Sequence, residues 1–323
     1  MGLALEQIDR LVQDEYAFFV HEKQGWSLTR GPQDLELVAH ALRVILHART
    51  SPDFLADYLA LTGCQAQDGG WSPFSADSDS TVWVSAFCGL MLIRGNRFLH
   101  QDRISQAVCR AIDYFLDTQH ADGRWVDPSW ADLDTTSHPV SFFNVVMALG
   151  EPYRRSEVVP AWQKGARFIL DNQSPDGGWY DDEFHPSGVE ITAHLIQDAL
   201  IADLAMDSQL SGLRESCTKG AQKLYEWQAA DGSWDGENVD HTMDCTRSLM
   251  VVTRLLGDAH GQETIERGLA WILTNKNPSG WGDFPELETN LERTCDGIDT
   301  LLKYKAYRSP DHQAVVRLWG YIP

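Results

Sequence analysis

Positive charge is scarce in this chain. Against 47 Asp and Glu stand 26 Lys and Arg, a net charge of −21. Nucleic acid is therefore excluded as a partner, because a phosphate backbone is met by clustered basic side chains. No basic amphipathic segment is present to draw anionic lipid, and the surplus of acid reads as a solubility feature. No run of 18 apolar residues occurs, so no membrane span is expected. The stretch Met1 to Tyr16 holds acids where a signal peptide would hold an apolar core. Six cysteines, Cys64, Cys88, Cys109, Cys217, Cys245 and Cys295, form no C-x-x-C pair. Their half-apolar contexts suit reduced thiols acting as small hydrophobes, and a cytoplasmic protein is expected. The Gly-rich stretches at Asp68-Gly69-Gly70 and Asp176-Gly177-Gly178 lack the Lys-Ser/Thr of a phosphate-binding loop.

What the chain has in plenty is one phrase, Q-x-x-D-G-x-W. It occurs at Gln65–Trp71, Gln119–Trp125, Gln173–Trp179 and Gln228–Trp234, with degenerate copies ending at Trp26 and Trp281. The six anchor tryptophans step by 45, 54, 54, 55 and 47 residues. A period near fifty marks a repeat architecture. Within one period, Ile104 to Leu116 places apolar residues at helical spacing. Asp122-Gly123 then makes a turn, since Gly supplies positive φ at little cost. Asp134-Thr135-Thr136 offers N-cap chemistry for a second, more apolar stretch, Val140 to Leu149.

Each unit thus reads as an outer amphipathic helix, a turn, a loop and an inner helix. The expected fold is all-α: an (α/α)6 barrel or toroid of six helical hairpins, one domain over residues 1–323. An open solenoid is the alternative closure. The anchor tryptophans read as packing wedges, each with its Gln bonding the next helix end. Acids follow each anchor: Glu36, Asp79, Asp134, Glu190, Asp244 and Glu292 lie eight to eleven residues past their Trp. At a helix start such acids favour the dipole by about 0.3–1 kcal/mol each.

Repeated Q-x-x-x-G-x-W phrases resemble those of the squalene–hopene and oxidosqualene cyclases, the class II terpene cyclases, over nearly the whole chain. The length suits a single-domain form. The resemblance implies a proton donor at the middle Asp of a D-x-D-D-T signature. Asp77-Ser78-Asp79-Ser80-Thr81 matches it with Ser80 in the fourth place, giving Asp79 as the acid, Asp77 as its neighbour and Thr81 as the threonine. Asp132-Leu133-Asp134-Thr135-Thr136 is a second partial match, with Thr135 as the departure. Asp79 is preferred for its place in the second repeat, and Asp134 is the alternative. The family orients its acid with a His from the next repeat, which would be His138 for Asp79 and His194 for Asp134. Aromatic faces then stabilise the carbocations; Trp83, Phe87, Trp130, Phe142 and Phe143 are the candidates, each equally readable as core.

The chemistry explains the demand. Protonating an alkene requires a neutral carboxyl, so an apolar surround must raise the acid's pKa against the helix dipole. The expected substrate is a linear polyprenyl compound, such as a prenylated aromatic acid, cyclised without a cofactor. Mg²⁺ would enter only with a diphosphate substrate, and no metal-ligand residues are assigned. Arg30, Arg94, Arg97, Arg124 and Arg247 are candidates for an anionic head group. Two rivals stand beside this reading. A protein prenyltransferase β subunit shares the barrel but needs a D-x-C zinc pair, which is missing. A non-catalytic isoprenoid-binding barrel would bind and not convert. Sugar-cleaving helical toroids are a further alternative, through paired carboxylates.

Overall fold

The structure is a computed structural model. It describes residues 5–74, 79–128, 130–180, 188–206, 210, 212–257, 261–311, 314 and 318, and side chains of 198–206 are outside that description. Twelve α-helices occur among the described residues, and they alternate as the repeat requires. The outer helices are α1 (Leu5–His21), α3 (Leu55–Gly63), α5 (Asp102–Thr118), α7 (Arg155–Asp171), α9 (Leu213–Trp227) and α11 (Gly261–Thr274). The inner helices are α2 (Leu35–His47), α4 (Val82–Leu99), α6 (Asp132–Ala148), α8 (Val189–Met206), α10 (Val239–Leu256) and α12 (Leu291–Arg308). The all-α expectation of six helical hairpins stands. No described helix is long and apolar enough to cross a membrane.

The contacts group into two compact units, each discontinuous in sequence. The first comprises Met1–Lys23, Gln173–Leu200 and Gly212–Trp319; the second comprises Gln24–Asn172, Ile201–Ser211 and Gly320–Pro323. In the second unit α4 packs between α2 and α6, with α5 behind it and α7 behind α6. In the first unit α10 packs against α9, α11 and α12, and α1 lies on α12. All six anchor tryptophans are completely buried.

The repeated turn works the same way in each unit. The Trp indole donates to a carbonyl near the end of its own outer helix, as Trp71 does to Leu61 at 2.9 Å, Trp125 to Phe115 at 2.9 Å and Trp234 to Leu224 at 2.8 Å. The Gln amide donates to the Gly carbonyl inside the turn and to the next outer helix: Gln65 to Ala107, Gln119 to Ala161, Gln173 to Ser216 and Gln228 to Thr264. These acceptors lie in the first half of the helix and not at its end, which corrects the expectation. The Gln reaches a carbonyl already engaged in the helix through its second lone pair. In the sixth turn, Lys276 stands four residues past the Ile272 acceptor of the indole, where Gln65 stands four past Leu61, and α1 supplies the link. Glu15, 3 % exposed, accepts from the Gly280 N–H at 2.7 Å and pairs with Lys276 at 2.6 Å.

The turn glycine is fixed by sterics. Gly123 has φ +100°, and a Cβ there would sit 2.5 Å from the Lys164 carbonyl oxygen. Gly150 also has positive φ, +73°, but nothing lies within 4 Å of its Cβ position. Gly150→Ala is expected to cost only backbone strain, on the order of 1–3 kcal/mol. Gly123→Ala should cost clearly more, because the strand of turn and the α7 backbone must part. Urea unfolding of the two variants measures the difference; equal losses would refute the clash.

Two local expectations shift. Helix α6 begins at Asp132, capped by Ala131, and carries Pro139 inside it. Asp134 is therefore in the first helical turn and is not the cap.

Candidate functional site

A second repeated bond sets the register of the inner helices. The backbone N–H of five of the six anchor tryptophans donates to a hydroxyl one turn into the inner helix: Trp71 to Ser85 (2.8 Å), Trp125 to Thr136 (3.0 Å), Trp179 to Thr192 (2.9 Å), Trp234 to Thr242 (3.1 Å) and Trp281 to Thr294 (3.5 Å). Aligned on that hydroxyl, the residues two before and two after it share one helix face, being four apart. They are Trp83/Phe87 on α4, Asp134/His138 on α6, Glu190/His194 on α8, Asp240/Asp244 on α10 and Glu292/Asp296 on α12.

This register corrects the sequence-based set. The equivalent of Asp134 on α4 is Trp83 and not Asp79; on α10 it is Asp240 and not Asp244. Asp79 precedes α4 and is exposed. An exposed carboxyl keeps its hydration, so Asp79 lacks the enclosure that a neutral alkene-protonating acid needs. Asp77 lies outside the described residues. Thr81 is half-buried at the N-cap of α4, and its N–H bonds the Trp71 carbonyl at 2.9 Å.

In the second unit, Asp134 is 2 % exposed and His138 is 9 % exposed. Four of the expected side chains come together beside each other here. The Trp83 ring meets Trp130 edge-on at 5.8 Å and Phe87 at 6.1 Å, and Phe87 lies 4.9 Å from the His138 ring. His40 of α2 meets the other edge of Phe87 at 5.8 Å. The buried carboxylate of Asp127 accepts from the Val82 N–H at 3.0 Å and ties the start of α4 to the loop before α6. Phe142 and Phe143 belong elsewhere. Both are fully buried, packing on Phe115 of α5 at 5.1 and 6.1 Å, with Phe143 also on Trp125. They fill the space between inner and outer helices and are core, which corrects their expected place against substrate.

The first unit carries a network that sequence reasoning largely missed. Arg247, 3 % exposed, pairs with Asp244, with Asp296 at 3.3 Å and with Asp299 at 3.8 Å. Arg293 is shared by Asp240, Asp283, Glu292 and Asp296. Lys303 pairs with Asp299 at 3.0 Å. His194 bonds Asp244 through Nε2 at 3.2 Å. Burial opposes the charge on Asp244, but Arg247 and then His194 hold its carboxyl well below the usual range. Asp240 is pushed the other way, upward, by burial and by the charges of Asp244, Asp296 and Glu190, against the pull of Arg293. Two neighbouring acids with one identity are thus driven apart by surroundings, as in acid/base sites elsewhere. The signal was present in the sequence as the i,i+4 spacing of Asp240/Asp244 and Glu292/Asp296, once aligned on the threonine between them.

Three of the five expected head-group arginines are already engaged. Arg247 is enclosed by acids, Arg124 pairs with Asp122 and Asp132, and Arg94 bonds His47 at 2.8 Å. Arg30 is exposed and Arg97 is half-buried.

His241 sits between Asp235 at 2.7 Å and Glu190 at 3.1 Å, one at each ring nitrogen. Both nitrogens must then donate, so the ring is an imidazolium. Burial pulls its pKa down, but the bond and charge of Glu190, the charge of Asp240 and the bond to Asp235 outweigh it and raise the value to about 9. The folded state holds this proton more tightly than the unfolded state, whose His titrates near 6.5. The resulting stability, about 3 kcal/mol by linkage, is whole below about pH 6.5 and is lost as pH rises through 9. His241→Gln should flatten this alkaline limb of the urea-unfolding profile; an unchanged limb would show that other groups cause it.

Residues 96–244 match the squalene-hopene cyclase C-terminal domain, and residues 48–138 match the A-macroglobulin TED domain. The chain is 25% identical over 204 residues to a probable squalene–hopene cyclase of Sinorhizobium fredii, covering 56% of this chain and 30% of that protein. It is 26% identical over 143 residues to the lanosterol synthase of Aspergillus fumigatus, covering 43% of this chain and 18% of that one. The chain thus aligns with less than a third of the length of either relative. Among solved structures, the ent-copalyl diphosphate synthase from Streptomyces platensis is similar at TM-score 0.58 and 17% identity, over 88% of this chain and 50% of that one. A sugar epimerase from a ruminal bacterium is similar at TM-score 0.71 and 12% identity, over 92% and 98%. A GH76 alpha-mannanase from Bacteroides thetaiotaomicron is similar at 0.69 and 7%, over 92% and 94%. At these identities the solved structures speak to the fold alone. The sequence comparisons place the resemblance with the class II terpene cyclases and do not favour the prenyltransferase alternative.

Proposed function

We propose, from the premise that residues 96–244 match a squalene-hopene cyclase C-terminal domain, that this chain is a class II terpene cyclase acting on a linear polyprenyl substrate, with Asp134 as its general acid. The observation that carries this choice is the burial of Asp134, 2 % exposed, inside the D-x-D-x-T stretch Asp132–Thr136 and within the matched residues. The carboxyl proton passes to an alkene carbon, whose π pair forms the new C–H bond and leaves a tertiary cation. Neighbouring alkenes close rings in turn, and a base removes a proton at the end, so the net change is an isomerisation. Burial favours the neutral acid that this step needs, against the helix dipole in the first turn of α6. Trp83, Phe87 and Trp130 form the aromatic cluster available to a passing cation, at about 0.5–2 kcal/mol each. A prenylated aromatic acid is the substrate we propose to try first.

The test is incubation with a panel of linear polyprenyl compounds in deuterated water. A cyclised product of unchanged composition is expected, carrying one deuterium on the ring methylene that derives from the CH carbon of the terminal alkene. Tight binding of the same compounds without any product would instead favour a non-catalytic barrel.

A further inference from the structure

The first unit contains a side-chain chain that nothing in the proposed reaction yet uses. Asp244 bridges two groups with its two oxygens: Oδ1 accepts from Arg247 Nη2, and Oδ2 faces His194 Nε2 at 3.2 Å. Arg247 is itself held by the Asp296 carbonyl and carboxylate, each at 3.3 Å, and by Asp299. Asp244, Asp296 and Asp299 are 5 %, 1 % and 0 % exposed, whereas a quarter of the His194 side chain is accessible. The assembly is a rigid buried clamp with one ring left at its accessible end.

We propose that Asp244 is a positioning residue that fixes a proton on His194 Nε2 and keeps the ring cationic, so that His194 serves as a hydrogen-bond donor and not as the base that ends the cyclisation. This rests on the reading of the chain as a cyclase only for the last clause; the charge state of His194 stands apart from it. The geometry carries the assignment. A carboxylate paired with a guanidinium has no proton of its own to give, so the hydrogen between Asp244 and His194 belongs to the imidazole. A buried carboxylate fixed at hydrogen-bond distance stabilises the imidazolium over the neutral ring. The remaining charges around the pair in this unit are Glu190 on α8, Asp240, His241 and Arg247 on α10, and Arg293, Asp296 and Asp299 on α12. Among these, Arg247 meets the oxygen of Asp244 that does not face the ring and is covered by three carboxylates. A cationic ring cannot accept the last proton of a carbocation cascade, and that duty falls to another group.

Imidazole titration by NMR on the intact protein tests this, with the His194 resonance assigned by its loss in His194→Gln. In the wild type, His194 is expected to hold its proton at least tenfold more tightly than an ordinary histidine, a midpoint at least one unit above about 6.5. Asp244→Asn should lower the midpoint by a unit or more, and Asp244→Glu should restore most of it. A wild-type midpoint at or below the ordinary value overturns the proposal without recourse to a variant. So does an Asp244→Asn protein that folds and titrates unchanged, since a merely structural aspartate would leave the ring alone. Failure of the cyclase reading is told apart by product analysis: no cyclised product from wild type refutes the activity while the His194 midpoint still reports on Asp244.

Discussion

Asp134→Asn is expected to lower cyclisation by about 10²–10⁴-fold, the range a positioned general acid contributes, while Asp79→Asn stays within about twofold of wild type, as a group outside that role should. The asymmetry follows from where the two carboxyls lie. Asp134 is nearly inaccessible in the first turn of α6, whereas Asp79 precedes α4 and faces solvent. Asparagine keeps the size and most hydrogen bonds of aspartate but has no acidic proton, so the fold should survive, as circular dichroism would show. The measurement is the rate of product formation from the best polyprenyl substrate. A reversed order, with Asp79→Asn inactive and Asp134→Asn active, would return the donor to the loop before α4.

Arg247→Met is expected to destabilise the protein by about 3–5 kcal/mol, the cost of removing one partner from a buried ionic group. Asp244, Asp296 and Asp299 would lose the cation they share, and only Lys303 would remain on Asp299. Methionine replaces the bulk of the arginine stem, so the loss isolates charge from packing. Adding Asp299→Asn to Arg247→Met should recover part of the stability, because one uncompensated carboxylate is then gone. A half-buried arginine at the surface serves as the contrast: Arg154 pairs with Asp113 at 2.8 Å and Glu157 at 2.6 Å, and its removal should cost only about 0.2–1 kcal/mol. Similar losses at the two positions in urea unfolding would mean that the buried network contributes no more than a surface pair.

The architecture was legible because its signals are local and repeated. Gln, Gly and Trp stand at fixed places in each turn, and every one of those places has a bond or a steric limit behind it: Gln119 to Ala161, Trp125 to Phe115, Gly123 against Lys164. The acid was harder to read. Counting from the Trp treats the following loop as constant, but the Trp N–H finds its hydroxyl 8 residues on in Trp234–Thr242 and 14 residues on in Trp71–Ser85. The loop thus varies by nearly two helical turns, and a count from the Trp sets Asp79 beside Asp134 although α4 carries Trp83 at that place. Phe142 and Phe143 were misplaced for another reason. Helix α6 is buried on nearly every side from Leu133 to Met147, so its pattern carries no polar stripe to show which face meets a core and which a ligand. The Arg247 network lay hidden because charged residues at helical spacing usually mark a solvated face.

The bond between Glu15 and Gly280 has a consequence for how the chain is made. Its two partners are 265 positions apart, and a ribosome adding about 5–20 residues per second needs roughly 10–50 s to deliver the second after the first. Throughout that interval α1, with Ile8 and Phe19 destined for complete burial, waits without α12 to cover it. Until α12 has been made, that apolar face of α1 stays open to chaperones and proteases.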